Sequence, residues 1–201
     1  MTRILVADDE HLIRDAIAGL LDLQDDFEVV GQASSGTEAI ATALRLRPDV
    51  ALLDLQMPGL DGIAVAQQLA ADVPGCRSVI VTSHGRPGYL KRALEAGVSA
   101  FVPKTVSGRV LADVVRQVRA GGRYVDPELA AEAISAGDSP LTPREADVLE
   151  LAVDGTPVEE IAQRAHLSPG TVRNYLSSAA MKLGAANRHE AVQVARRHGW
   201  I

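Results

Sequence analysis

Asp8 and Asp9 follow the apolar run RILVA, and Asp54 closes VALL. Thr82 and Ser83 follow SVIV, and Lys104 follows AFVP. Each of these polar side chains therefore stands at the end of a short apolar segment. If the segments are neighbouring parallel strands, the polar groups meet at one edge, where open α/β sheets collect their functional groups. Three carboxylates brought together repel one another. A hard divalent cation relieves that repulsion, and Mg2+ favours oxygen ligands and retained waters. Asp9 and Asp54 are expected as direct ligands, the backbone carbonyl of Gln56 as a third, and Asp8 through water. Asp54 then keeps one oxygen free to attack a phosphoryl group and form an aspartyl phosphate. Thr82 and Lys104 can donate to the phosphoryl oxygens. Read singly, Asp8-Asp9 or Asp54 could be ordinary helix caps; the joint pattern at successive strand ends argues for chemistry.

The elements that must position these groups are legible in the first 120 residues. Segments 3–8, 27–34, 49–55, 78–83 and 100–104 read as five short strands. Between them, Leu12, Ile13, Ala16, Ile17, Leu20 and Leu21 form one helical stripe, and Val110, Leu111, Val114, Val115 and Val118 another. Strands alternating with helices predict a parallel sheet covered on both faces, which is why the third strand is apolar throughout. The loop from His84 to Gly88 contains Gly85, Arg86 and Pro87, predicting a turn and a helix that begins near Tyr89.

Composition limits the rest. The 201 residues suffice for one large or two small domains, 47% are hydrophobic and only 3% aromatic, so the cores must be aliphatic. A formal charge of −6 argues against indiscriminate binding to nucleic acid or anionic lipid. The single cysteine, Cys76, excludes an internal disulfide, fits a reducing cytoplasm and reads as a packing residue. No apolar run reaches the ~18 residues of a membrane span, and MTRILVADD is no signal peptide, so the expectation is a cytoplasmic protein without a membrane partner.

After residue 120 the pattern changes. Gly121-Gly122 ends a helix, Pro127 can start a short one, and residues 136–140 read as a joint, giving a helical linker over 121–140. Residues 141–201 show helical periods alone. Thr142, Pro143 and Glu145 form a capping-box signature, and Ser168 before Pro169 caps a later helix. Two helices joined by the tight turn HLSP form a helix-turn-helix. Charge is split: residues 144–160 carry a net −5 and residues 161–201 a net +5. Phosphate contact is favoured on the latter half. Arg173, Asn174 and Ser177 face away from the apolar Val172 and Leu176. Arg suits guanine and Asn adenine in the major groove. Ser168, Thr171 and Lys182 are placed for phosphates.

On DD, D-x-x-M-P-G-x-D-G, TS and F-x-P-K, the first 120 residues resemble the receiver domain of two-component response regulators. On LTPRE, EEIAQ, LSPGTVRNYL and KLGAANRHEAV, residues 141–201 resemble the LuxR-type DNA-binding domain. Together the halves are similar to the NarL/FixJ class, and RPGYLKRALEAGV and GTVRNYL are similar to the DesR-like subgroup that controls membrane-lipid desaturation genes. The resemblance implies a flavodoxin-like receiver with five strands in the order 2-1-3-4-5 and a four-helix DNA-binding domain, whose fourth helix, about 187–198, commonly dimerises. It implies Asp54 as phosphoacceptor, Thr82 and Lys104 as its partners, Phe101 as the aromatic that changes rotamer, and Gln56 and His84 as residues that set the phosphoryl lifetime. Many receivers read Lys-Pro at the fifth strand. Here Pro103 precedes Lys104, which leaves the isomer of the Lys104–Thr105 bond open.

The implied function is a transcription regulator phosphorylated by a sensor histidine kinase, with Mg2+, that dimerises on double-stranded DNA. It modifies itself and is no enzyme acting on a separate substrate. A regulator of the same fold that dimerises constitutively without phosphate is the alternative. A haloacid-dehalogenase-type phosphatase would want a second Asp where Gln56 stands.

Overall fold

The computed structural model describes residues 1–83, 87–136 and 139–201. The expected positions His84, Gly85 and Arg86, and Gly137-Asp138 of the expected joint, lie outside the described residues. The chain divides into two compact units, Met1–Gly85 with Leu90–Pro127, and Arg86–Tyr89 with Glu128–Ile201.

In the first unit, strands β1 (Thr2–Ala7), β2 (Phe27–Ala33), β3 (Val50–Asp54), β4 (Arg77–Thr82), β5 (Ala100–Pro103) and β6 (Tyr124–Val125) alternate with helices. The helices are α1 (His11–Asp22), α2 (Gly36–Leu46), α3 (Gly62–Asp72), α4 (Pro87–Glu95, of which residues 90–95 belong to this unit) and α5 (Gly108–Arg119). All pairings are parallel, in the order β2-β1-β3-β4-β5-β6. One face of the sheet offers Ile4, Val6, Val50, Leu52, Val79, Val81 and Val102. They pack on Ala18 and Leu21 of α1 and on Leu111, Val114, Val115 and Val118 of α5. Leu5, Ala51, Leu53 and Ile80, of opposite parity, are buried as well. β3 is therefore apolar on both sides because both of its faces are covered, as parallel crossover connections require.

The sheet has six strands where five were expected. Tyr124 and Val125, inside the expected linker, pair with Ala100 and Phe101, closed by Tyr124 N–H to Ser99 O at 3.0 Å and Asp126 N–H to Phe101 O at 3.1 Å. Two residues are too few to carry a period, so the strand left no mark in the pattern. Helix α4 also begins two residues before Tyr89, at Pro87, a residue suited to a first helical position. The Lys104–Thr105 bond is trans.

The second unit contains α6 (Pro127–Ala136), α7 (Pro143–Leu151), α8 (Val158–Arg164), α9 (Pro169–Lys182) and α10 (Arg188–Arg197). Thr142 and Glu145 close a reciprocal capping box on α7, Ser168 caps α9 and Asn187 caps α10. Val148, Leu149, Ile161, Val172, Ala179, Ala191 and Ala195 form an aliphatic core, with the partly buried Tyr175 and Trp200 packed against it. Among the described residues, no helix is long and apolar enough to cross a membrane.

Candidate functional site

The register of the sheet brings the polar groups together. Ala7 lies opposite Leu53, Asp54 opposite Val81, and Thr82 opposite Pro103, so Asp8, Asp54, Thr82 and Lys104 share one edge. Asp8, Asp54 and Thr82 are buried, Lys104 is nearly so, and Asp9 and Ser83 are exposed. Carboxylate oxygens of Asp8, Asp9 and Asp54 all fall within 4.8 Å of one another, the spacing of a site for one cation. Lys104 Nζ lies 2.7 Å from Asp8 Oδ2, 3.3 Å from Asp54 Oδ1 and 3.1 Å from Glu10 Oε1.

The loops are built to hold this arrangement. Glu10 N–H donates to Asp8 Oδ1 at 2.9 Å, and Arg14 donates to the Asp8 carbonyl at 2.6 Å. Gln56 N–H donates to Asp54 Oδ2 at 3.2 Å, while its side chain is exposed. After Asp54 the chain turns through Gly59, at φ +82°, a left-handed conformation that favours glycine. Asp61 caps α3 through Ala64 N–H at 2.7 Å. A Cβ on Gly62 would lie 2.2 Å from the Asp54 carbonyl oxygen, so only glycine lets α3 start against the strand.

Burial pushes the Asp54 carboxyl up to about 7, and repulsion from Asp8 and Asp9 adds to this against the pull of Lys104. Asp9 is also raised, by burial and then by Asp8, against its backbone hydrogen bond. Burial works against the Lys104 ammonium, but its bond to Asp8 and the charges of Asp54 and Asp8 outweigh it and hold the group protonated. One cation among three carboxylates leaves an excess of negative charge, which a divalent ion would neutralise. Phe101, on β5, is fully buried beside β6. Cys76 is a half-buried thiol pushed up to about 11 by burial and then by Asp49, which makes it unreactive at neutral pH.

In the second unit, α8 and α9 form the helix-turn-helix, with His166 at φ 53° in the turn. Arg173, Asn174 and Ser177 lie exposed on α9, opposite the buried Val172, Leu176 and Ala179. Ser168 Oγ accepts from Thr171 N–H at 3.1 Å and meets Thr171 Oγ1 at 2.8 Å. Lys182, expected at phosphates, reaches Glu145 Oε2 at 2.7 Å, and Ser178 donates to Glu145 Oε1 at 2.6 Å. Burial alone would raise Glu145, but Lys182, Ser178 and Thr142 together bring it down to about 2. Arg173 reaches Glu159 of α8 at 3.1 Å.

Comparison with known proteins gives the arrangement its family. Residues 4–116 match the response regulator receiver domain, and residues 139–195 match the bacterial regulatory proteins of the luxR family. The transcriptional regulatory protein DesR of Bacillus subtilis is 40% identical over 204 residues, covering all of both chains. The response regulator RamR of Streptomyces coelicolor is 38% identical, covering 100% of this chain and 98% of its own. The chain is a two-component response regulator. In a solved complex of the response regulator RcsB with DNA, 97% of this chain matches 98% of that one with a TM-score of 0.62 at 26% identity. The regulator combines a receiver with a LuxR-type domain over its whole length, the organisation of a phosphorylation-regulated transcription factor.

Three residues escaped the reading of the sequence. Glu10, a third acid after Asp8-Asp9, was available from the run itself. Gly62 stood in the D-G of the quoted motif, but its reason, contact with the Asp54 backbone, required the fold. Glu159 had no signal, because it meets Arg173 across the turn, 14 residues away.

Proposed function

We propose that this regulator takes a phosphoryl group from the phosphohistidine of a sensor histidine kinase onto Asp54. An ionised Asp54 oxygen attacks phosphorus, the P–N bond breaks, and the imidazole nitrogen leaves with the electron pair. Asp8, Asp9, Asp54 and the Gln56 carbonyl would hold Mg2+, which when bound supplies the positive charge that keeps Asp54 ionised and balances the phosphoryl oxygens. Lys104 moves its donors from Asp54 to the phosphoryl group, and the Thr82 hydroxyl supplies another. Gln56 and His84 govern access of the water that ends the phosphorylated state. Thr82 and Phe101 relay the change to the outer surface. The observation that carries this reading is the set of three converging carboxylates with a buried lysine bonded to two of them.

The face that dimerises is assigned to α1 and α5. Leu12 is 82% and Leu23 78% exposed, and Leu20 lines a shallow groove with Gly108 and Ala112. Such side chains on a water-facing surface favour a self-complementary contact. Pairing sets two α9 helices on half-sites about 10 base pairs apart or a multiple, where Arg173 and Asn174 read bases. The setting is the cytoplasm.

The test is size measurement after adding beryllofluoride and Mg2+. A monomer that becomes a dimer supports the reading, and Leu23→Arg should block the change. A dimer present throughout, unaltered by Asp54→Asn, would replace it with constitutive pairing. On DNA, Arg173→Ala should cost about 1–3 kcal/mol at one base pair.

A further inference from the structure

Arg173 does not stand alone on the exposed face of α9. Its Nη2 is 3.1 Å from Oε1 of Glu159, in the first turn of α8, with the two side chains 59% and 66% exposed. An ion pair this exposed contributes little to stability. Its position suggests another use. In a helix-turn-helix the first helix crosses the DNA backbone while the N-terminal part of the second meets base edges. Arg173 is the fifth residue of α9, and Glu159 belongs to the first of the two helices. A carboxylate here travels with the guanidinium to a surface lined by phosphates, from the end of the acidic stretch 144–160 against the basic stretch 161–201 that carries α9.

We infer that Glu159 is a specificity-determining residue for DNA, resting on the reading of Arg173 as a base contact. It acts in two ways. It holds the long Arg173 side chain in one of its many rotamers, so less freedom is lost when the guanidinium meets guanine. It also neutralises Arg173 towards phosphates and repels the backbone wherever Arg173 finds no guanine to satisfy it. Non-specific binding is almost wholly electrostatic, so that penalty falls mainly on the wrong sequences. Glu160 provides the comparison. It is the next residue, equally acidic and exposed, and makes no ion pair among the described residues.

The experiment uses the full chain and a duplex selected by that chain from a random pool, with a scrambled duplex and single-base-pair variants as competitors. Glu159→Gln should tighten binding to the scrambled duplex, and lower the ratio of selected to scrambled affinity by about fivefold, or about 1 kcal/mol. It should also relax the preference at the base pair that Arg173→Ala relaxes. Glu160→Gln removes the same charge and should tighten both duplexes in parallel, leaving the ratio unchanged. Trp200 emission, from the sole tryptophan, checks that each variant folds. An unchanged ratio in Glu159→Gln, or the same change in Glu160→Gln, overturns the inference while leaving base reading intact if Arg173→Ala still erases a preference. If Arg173→Ala erases none, base reading and the inference fall together.

Discussion

Replacing Asp54 by Asn tests the electrostatics of the pocket without any phosphodonor. With the carboxyl near 7 in the folded chain against 3.8 when unfolded, folding favours its protonated form. The folded state therefore loses stability as pH rises from about 4 to about 7, and stays at the lower level above. A shift of about 3 units sets a ceiling of about 4 kcal/mol. Asn has the same shape and no charge, so it escapes that cost. Against this, Lys104 loses its 3.3 Å partner, although Asp8 at 2.7 Å and Glu10 at 3.1 Å still hold it. Taking half the ceiling, Asp54→Asn should stabilise the receiver by about 2 kcal/mol at about pH 8 in chelator, roughly 8 °C in Tm. The gap should close towards about pH 4, where the native carboxyl is protonated in both states. Excess Mg2+ should raise the wild-type Tm and have a much smaller effect on the variant, since the ion binds only the folded pocket. Calorimetry follows both units, and Trp200 fluorescence identifies the transition of the second. Equal Tm values for wild type and variant at about pH 8, or a destabilised variant, would refute the argument that burial and neighbouring acids strain Asp54.

Gly62→Ala should destabilise the receiver by more than about 2 kcal/mol, because the new methyl meets the Asp54 carbonyl oxygen at 2.2 Å, a backbone atom that cannot swing aside. Urea unfolding gives the magnitude, and a normal midpoint would show that α3 can move away freely. The DNA-binding unit should lose stability in acid through Glu145. With its carboxyl at about 2 against 4.5 unfolded, the stabilisation is complete above about pH 4.5 and lost as pH falls towards 2. Allowing for the partial exposure of Lys182, the loss is about 2 kcal/mol. It should appear in Trp200 fluorescence during urea unfolding at successive pH values, and a Glu145→Gln variant should show none of that slope.

The sheet and its acidic edge were legible because each depends on a local signal repeated several times. Alternating strands and helices give a parallel sheet, whose strand order came from the resemblance to receivers, and a strand that ends on a charge marks the edge where Asp8, Asp54 and Lys104 meet. The helix caps at Ser168 and Thr142 were legible for the same reason, since their partners lie three residues on. β6 was not, because two residues have no period. The partners of Lys182 and Arg173 were not either: Glu145 and Glu159 are 37 and 14 residues away, and tertiary packing alone decides which acid a long cation meets.

Those partners alter what the charge count means. The half of the domain that carries α9 has six basic residues. Lys182 pairs with Glu145, Arg173 pairs with Glu159, and Arg188 donates to the carbonyls of Thr156 and Gly155 at 3.1 and 3.2 Å. Among the described residues, only the side chains of Arg164, Arg196 and Arg197 in this half make no ion pair or hydrogen bond. Affinity for the DNA backbone scales with the number of phosphates neutralised, so one such domain binds weakly and with a shallow salt dependence. Two domains held together convert the second contact into an intramolecular one, which can raise affinity by about 10²–10⁴ without any new contact. A receiver that controls pairing therefore controls binding, and the ion pairs of Lys182 and Arg173 lower the number of cations one domain offers to phosphates.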